Sequence, residues 1–282
     1  MSLGFANAGF DIVSAYDNNK AALETYRNNF SHPAVLADLS DDGIIDHIQK
    51  LCPEVIIGGP PCQDFSIAGP RNHTGIRANL TLQYAKIVCT IRPEYFVMEN
   101  VYNIERFPVL EKALEIFKSA GYGLTRGVFD ASRLGVPQAR KRFFLIGGLS
   151  HSDDFLISSL TNGMSDKPMT VRDALGDRLK TDYYYMHPRS YNRRGIFSVD
   201  EPSATIRGVN RPIPKQYKAH PADKTTELAK VRALSSIERA LIQTFPEDFK
   251  FWGTKSQVEQ QIGNAVPVKM AEYIARHLMD TI

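Results

Sequence analysis

Short apolar runs alternate with amphipathic stretches along the first half of the chain, and the two periods predict strands and helices in turn. Residues 10–17 (FDIVSAYD) read as a strand that ends in an acid, and residues 19–30 (NKAALETYRNNF) set Ala22, Leu23, Tyr26 and Phe30 at helical spacing. Residues 34–40 predict a short strand, 41–52 a helix with an acidic first turn, and 54–59 (EVIIGG) a further strand. A helix over 80–92 leads into a strand over 94–100 (EYFVMEN), and a helix over 109–122 ends at a glycine. Residues 123–132 and 140–148 predict a closing antiparallel pair. This is the rhythm of an α/β sheet with helices on both faces.

The rhythm breaks at residue 149. From there to about residue 230 the chain is rich in Ser, Asp, Tyr, Pro and Arg and has no long periodic segment, which predicts a small irregular domain. Helical spacing returns over 235–245, with Ser235 or Ser236 as the N-cap. In the last segment Val266, Met270, Ile274 and Leu278 share one face, which should pack back on the main sheet. The expected division is 1–148 for the main domain, 149–230 for the small one, and 231–282 for the returning helices.

Composition narrows the classes. No apolar run approaches the roughly 20 residues of a membrane span, and the start lacks the basic-then-apolar layout of a signal peptide. Three cysteines, Cys52, Cys62 and Cys89, are too few and too scattered for a disulfide framework or a four-ligand zinc site. No metal is expected, and a cytoplasmic, reducing location fits best. The net charge of +3 says little by itself. Between residues 189 and 218, however, Arg189, Arg193, Arg194, Arg207, Arg211, Lys215 and Lys218 face only Asp200 and Glu201. That stretch suits either a phosphate-contacting surface or a solvated loop.

Candidate chemistry gathers at the predicted strand ends, where open α/β sheets bind ligands. Cys89, and with it Cys52, reads as a small buried hydrophobe. Cys62 does not: it follows Gly-Gly-Pro-Pro, a stiff turn suited to holding a nucleophile at one point. Glu99-Asn100 ends a neighbouring strand and offers a carboxyl that could act as a general acid. Gln138, Arg140 and Arg142 open the last strand, and alternation would put all three on one face.

Together, GGPPCQDFS (58–66), MENV (98–101), VPQARKRFFLIG (136–147) and QIGNAVPV (261–268) resemble, in order and spacing, the motifs of the DNA (cytosine-5)-methyltransferases. The resemblance implies an S-adenosylmethionine-dependent doubly wound α/β fold with a small target-recognition domain. It implies that Cys62, held by Pro61, attacks C6 of a cytosine flipped out of duplex DNA. Glu99 would then protonate N3, Asn100 would support the nucleophile loop, Arg140 would contact O2, and Arg142 and Gln138 would organise the site. Asp17, Asn18, Asp38, Leu39, Leu80, Asn264 and Ala265 would hold the cofactor. Ser66, Arg71 and Arg77 fall in the loop that closes over DNA, and Arg194, Arg207 and Arg211 in the recognition region. The expected setting is a bacterial restriction–modification system or prophage, with a monomeric, nucleoid-associated enzyme and a cognate restriction endonuclease as partner. A tRNA-methylating relative, a catalytically impaired DNA-binding remnant and, more remotely, a small-molecule dehydrogenase remain as alternatives.

One departure stands out. The family opens with a central strand and a Phe-x-Gly-x-Gly-Gly loop just before the segment matched here by SLGFANAGF (2–10). Starting at Met1, the chain is expected to leave that strand's place empty, with unpaired backbone and a gap in the core. Three explanations compete: an earlier true start, a remnant that methylates poorly, or another segment filling the gap. The first is preferred because the downstream motifs are intact; it predicts weak cofactor binding and low stability, both restored by an upstream extension.

Overall fold

The computed structural model describes residues 1–61, 76–190 and 192–282, and the side chains of all of these except 76–79. Its elements in chain order are α1 (Ser2–Asn7), β1 (Ala15–Asp17), α2 (Lys20–Arg27), β2 (Ala34–Leu36), α3 (Gly43–Gln49), β3 (Val55–Gly58), α4 (Ile76–Ile91), β4 (Tyr95–Val101), α5 (Pro108–Ser119) and β5 (Tyr122–Asp130). There follow β6 (Gln138–Ala139), β7 (Lys141–Leu149), α6 (Ile157–Asn162), α7 (Val171–Leu175), β8 (Tyr183–Tyr185), β9 (Ile196–Ser198), β10 (Ser203–Ala204), β11 (Val231–Ala233), α8 (Ser236–Ile242), α9 (Lys255–Asn264) and α10 (Val268–Met279).

The main sheet runs β3-β4-β7-β5, parallel between β3 and β4 and antiparallel around β7. Strand alternation divides its side chains between two cores. Tyr95, Val97, Phe144 and Ile146 pack on one side with Met270, Ile274 and Leu278 of α10. Phe96, Met98, Phe143 and Leu145 pack on the other with Val88 of α4 and Leu110 and Phe117 of α5. Phe96 and Phe117 stack at 4.1 Å between ring centroids. Helices therefore cover both faces, as the pattern of the sequence predicted.

Strands β1 and β2 form a separate parallel pair. Among the described residues β1 pairs only with β2, and β3 only with β4. A cavity of about 840 Å³ lies between these two strand ladders, lined by residues of both. Helix α1, which the pattern did not separate from its surroundings, packs on α10 so closely that a Cβ on Gly4 would sit 2.6 Å from the Val268 carbonyl.

Beyond residue 149 a third core holds Val171, Leu179, Tyr184, Phe197 and Ile206 together with Ile242 and Ile262. The irregular region is thus built around the small sheet β11-β8-β9 and shares its core with α8 and α9. The closing helical segment is two helices rather than one, parted at Ala265–Pro267, where proline has no N–H to continue the first.

Candidate active site

The carboxyl end of β4 positions the central acid. Glu99 shares a face with Tyr95 and Val97, so its side chain belongs to the α10 side of the sheet. Across the antiparallel ladder Glu99 opposes Phe144, and Val101 opposes Arg142. Arg142 is therefore the diagonal neighbour of Glu99 on the same face, within reach of a long side chain. Its Nε lies 2.8 Å from Glu99 Oε1, with the two side chains only 14% and 12% exposed. Burial raises the Glu99 pKa above its ordinary 4.5, against the opposing pull of Arg142, Arg140 and the Met1 amino group. Burial in turn lowers the Arg142 pKa, and Glu99 opposes that. A carboxyl so placed can carry a proton at a higher pH than an exposed glutamate does.

Asn100 points to the opposite face and is 3% exposed. Its Nδ2 donates to the Pro60 carbonyl at 3.2 Å, which ties the end of β4 to the stretch leading into Cys62. Cys62, Ser66 and Arg71 lie outside the described residues, as does the side chain of Arg77. Pro61 is described and lines the large cavity. The two glycines before the prolines have distinct surroundings. A Cβ on Gly58 would lie 2.3 Å from the Tyr84 ring, whose hydroxyl sits 3.0 Å from both the Ile56 and Val97 carbonyls. Gly59 leaves room for Glu99, whose Oε2 is 3.4 Å from where a Cβ would be.

Residues 138–142 depart from the expected single strand. β6 ends at Ala139 and pairs with β10, while β7 begins at Lys141. Between them the Arg140 N–H donates to the Gln138 carbonyl at 2.9 Å, a local turn that breaks the alternation. Gln138, Arg140 and Arg142 consequently do not share a face. Arg140 is 1% exposed and donates to the carbonyls of Ile206 (2.9 Å), Gly263 (3.0 Å) and Ala265 (3.1 Å). Gln138 is fully buried, accepting from the Ile206 N–H at 2.8 Å and donating to Gln243 Oε1 at 2.6 Å. The sequence reading put Arg140 on the substrate and Arg142 in support; this geometry places Arg142 beside Glu99 and commits Arg140 to backbone carbonyls. Gln243, the partner of Gln138, carried no signal in the sequence, because 105 residues separate the two.

The large cavity gathers Asp17, Asn18, Asp38, Leu39 and Leu80. Asp17 ends β1 and accepts from the Asn19 N–H at 2.7 Å. Desolvation against the cavity wall raises its pKa, and the backbone N–H groups of Asn19 and Asn18 oppose this. Asp38 follows β2 and accepts from the Ser40 N–H and hydroxyl, which hold its pKa down. The cavity's size, its apolar walls and two carboxylates at strand ends fit a nucleoside cofactor. Asn264 and Ala265 are not part of its lining. Asn264 accepts from Gln260, and the Ala265 carbonyl serves Arg140 and Gln243. Cys52, expected to be buried, is exposed in a left-handed turn (φ 46°) at the cavity rim. Cys89 is half-buried, and its thiol donates weakly to the Ile116 carbonyl.

A second cleft, about 780 Å³, opens on the other side of Arg142. Among the described residues Lys141, Arg142, Arg189, Arg193, Arg194 and Arg207 line it, and no carboxylate does. Arg194 is held by a bidentate pair with Glu201 (2.9 and 2.8 Å) and lies 4.3 Å from the centre of the Phe197 ring. Arg207 donates to the His187 carbonyl. Arg211 is exposed but lies outside the cleft lining. Among the described residues no group of His, Cys, Asp and Glu could hold a metal ion, and no helix is long and apolar enough to cross a membrane.

An acid paired with an arginine lies beside a cavity large enough for a nucleoside and a cationic cleft, on an α/β sheet with helices on both faces, an arrangement suited to group transfer onto a polyanion. The sequence profile of the C-5 cytosine-specific DNA methylases matches residues 1–280, and the chain belongs to that family. It is 55% identical over 282 residues to the Type II methyltransferase M.HindV of Haemophilus influenzae, covering 99% of this chain and 93% of that one. It is 52% identical over 279 residues to M.HgiDI of Herpetosiphon aurantiacus, covering 99% and 90%. Its fold is similar to that of the S. pombe Dnmt2 methyltransferase (TM-score 0.76, 20% identity, 100% and 95% covered). It is also similar to that of a DNA modification methyltransferase encoded within an E. coli prophage (0.70, 24%, 99% and 95%). The chain is a DNA cytosine-5 methyltransferase with S-adenosylmethionine as its methyl donor.

Proposed function

We propose that the Glu99–Arg142 pair is the cytosine-binding centre of this enzyme, working on a base flipped from duplex DNA into the space between cavity and cleft. The observation that carries this reading is the buried pair itself, with Arg142 lining the cationic cleft and Glu99 beside Gly59 of the cofactor cavity. Cys62, at the end of the Gly-Gly-Pro-Pro run, supplies the thiolate. Its sulfur bonds to C6 of the ring while the ring electrons move toward C5 and N3 takes the proton of Glu99. Arg142 faces the developing charge at O2, the place the sequence reading gave to Arg140. S-adenosylmethionine, when bound, would supply an electrophilic methyl group to C5, its methyl–sulfur bond breaking so that S-adenosylhomocysteine leaves. A base then removes the C5 proton, the sulfur–carbon bond breaks to release the thiolate, and the N3 proton returns to Glu99, which restores the neutral aromatic ring. Asp17, Asn18, Asp38, Leu39 and Leu80 are the side chains that would hold the donor.

The cleft residues Arg189, Arg193, Arg194 and Arg207 take the phosphate and base edges of the duplex, with residues 149–230 as the target-recognition region. The Type II relatives favour a restriction–modification role with a cognate endonuclease, and the enzyme works as a monomer. Duplex DNA and tRNA should be offered separately with labelled S-adenosylmethionine, beside Cys62→Ala. Label in DNA but not tRNA, lost in Cys62→Ala, is expected. A covalent adduct should accumulate on duplexes carrying 5-fluorocytosine. Methyl transfer that survives Cys62→Ala, or appears only on tRNA, would overturn the reading.

A further inference from the structure

The segment entering the cationic cleft is held from behind by a buried ion pair that touches neither the cleft nor the cavity. Residues 206–210 (IRGVN) have no regular secondary structure, yet their polar groups are bound in turn. Gln138 and Arg140 fix the Ile206 N–H and carbonyl. Arg239 donates to the carbonyls of Arg207 and, at 3.4 Å, Val209. The Asn210 side chain donates to the Leu234 carbonyl (2.8 Å) and to Glu259 Oε1 (2.9 Å). Ser236 donates to the same Glu259 oxygen at 2.7 Å. Arg239 and Glu259 pair with each other, each only 3% exposed. Helix α9 closes the remaining side: a Cβ on Gly263 would lie 2.2 Å from the Gly208 nitrogen.

A buried ion pair is a weak source of stability, because desolvation offsets much of the attraction. Its geometry, by contrast, sets where a loop backbone lies. Here the pair grips the backbone on either side of Gly208, while the Arg207 guanidinium lines the cleft and Val209 is 46% exposed. We propose that Arg239 and Glu259 are positioning residues for target discrimination: they fix the height of the 207–210 backbone, and so the base edges that Arg207 reaches, without meeting DNA themselves. The inference rests on the reading of this cleft as the DNA-facing surface.

The test uses the full chain and the double variant Arg239→Met/Glu259→Leu, which keeps net charge and approximate volume, with Arg239→Lys as the conservative variant. Labelled methyl transfer is measured on duplexes randomised around a cytosine, then as KM and kcat on the preferred duplex and on its single-pair variants. Circular dichroism and Tm report folding. The double variant should fold with Tm within a few degrees of the parent, keep kcat within about twofold, and lose about tenfold in the kcat/KM ratio of preferred to altered duplex. The salt dependence of DNA binding should be unchanged, since no phosphate contact is removed. Arg239→Lys should recover part of the lost ratio. An unchanged ratio, or a loss confined to kcat, overturns the proposal. Unfolding of both variants also overturns it, because the pair then serves the fold alone. A parent chain with no sequence preference at all fails at the earlier step, the reading of the cleft, and does so before any variant is compared.

Discussion

Replacing Arg142 by methionine leaves Glu99 buried without its partner, and the size of the effect can be bounded from the structure. Removing one member of a buried pair ordinarily costs about 3–5 kcal/mol. Glu99 has an escape, because it can take up a proton. For a carboxyl with an ordinary pKa of 4.5, protonation at pH 7 costs about 3.4 kcal/mol at 1.36 kcal/mol per unit. That figure caps the penalty at pH 7, and at pH 5.5 the cap falls to about 1.4 kcal/mol. The sign follows from a carboxyl whose folded pKa is raised. The folded state then binds more protons than the unfolded state, so destabilisation is absent below the unfolded pKa and grows as pH rises toward the folded one. In the parent the Arg142 charge holds that window narrow; in Arg142→Met it widens. With about 2–4 °C per kcal/mol for a domain of 150–250 residues and somewhat less here, the Tm gap between parent and variant should reach up to about 10 °C at pH 7 and shrink by more than half at pH 5.5. Thermal melts at the two pH values measure it, and in a Glu99→Gln background the pH dependence of the gap should vanish. Methyl transfer by Arg142→Met should fall by about 10²–10³ in kcat. A Tm gap of equal size at pH 5.5 and pH 7 would refute the argument, since it would mean that Glu99 does not titrate against Arg142.

Gly58→Ala should destabilise the chain by about 1–3 kcal/mol, because the new methyl meets a Tyr84 ring anchored between two strand carbonyls; urea unfolding midpoints measure this. Asp17→Asn should weaken S-adenosylmethionine binding by about tenfold, the scale of one charge-assisted hydrogen bond. In the parent, affinity should decline as pH falls through an Asp17 pKa that lies above 3.8, and calorimetric titration at several pH values follows both effects.

The sheet and its two-sided packing were readable because alternation at positions such as Phe96, Val97 and Met98 is a local property of a strand. Glu99 and Asn100 were legible for the same reason, since they follow an apolar run and so fall at a strand end, whereas the cavity carboxylates Asp17 and Asp38 were singled out by the family resemblance. What alternation could not show was the turn at Arg140. The register change depends on β10 pairing with β6, a contact across some 65 residues that leaves no periodic trace. The pairing of Gln138 with Gln243 and the burial of Arg239 against Glu259 are long-range in the same sense. Asn264 belonged to a recognisable motif, but its place at the end of α9 turns it toward Gln260 rather than into the cavity lining. The split of the last helix at Pro267 was legible in principle, since a proline there cannot continue the hydrogen-bond ladder.

Two arginines separated by one residue thus hold unlike positions, and lysine substitution should tell them apart. Arg142 serves Glu99 mainly as a charge, and a lysine on the same diagonal can supply it. Arg140 serves three carbonyls from two segments with a planar fork that an ammonium cannot reproduce. Hydrogen bonds from a charged donor are worth about 1.5–3 kcal/mol each, and a buried carbonyl left without one loses that and its contact with water. Arg140→Lys should therefore lower stability by about 2–4 kcal/mol, at pH 5.5 as much as at pH 7, because the carbonyls it abandons do not titrate. Arg142→Lys should stay within about 1 kcal/mol of the parent in stability, while turning over more slowly. Urea midpoints at both pH values, read beside methyl transfer, measure the contrast. The reverse pattern, a stable Arg140→Lys and a pH-independent collapse of Arg142→Lys, would return Arg140 to the substrate and leave Arg142 as the structural tie.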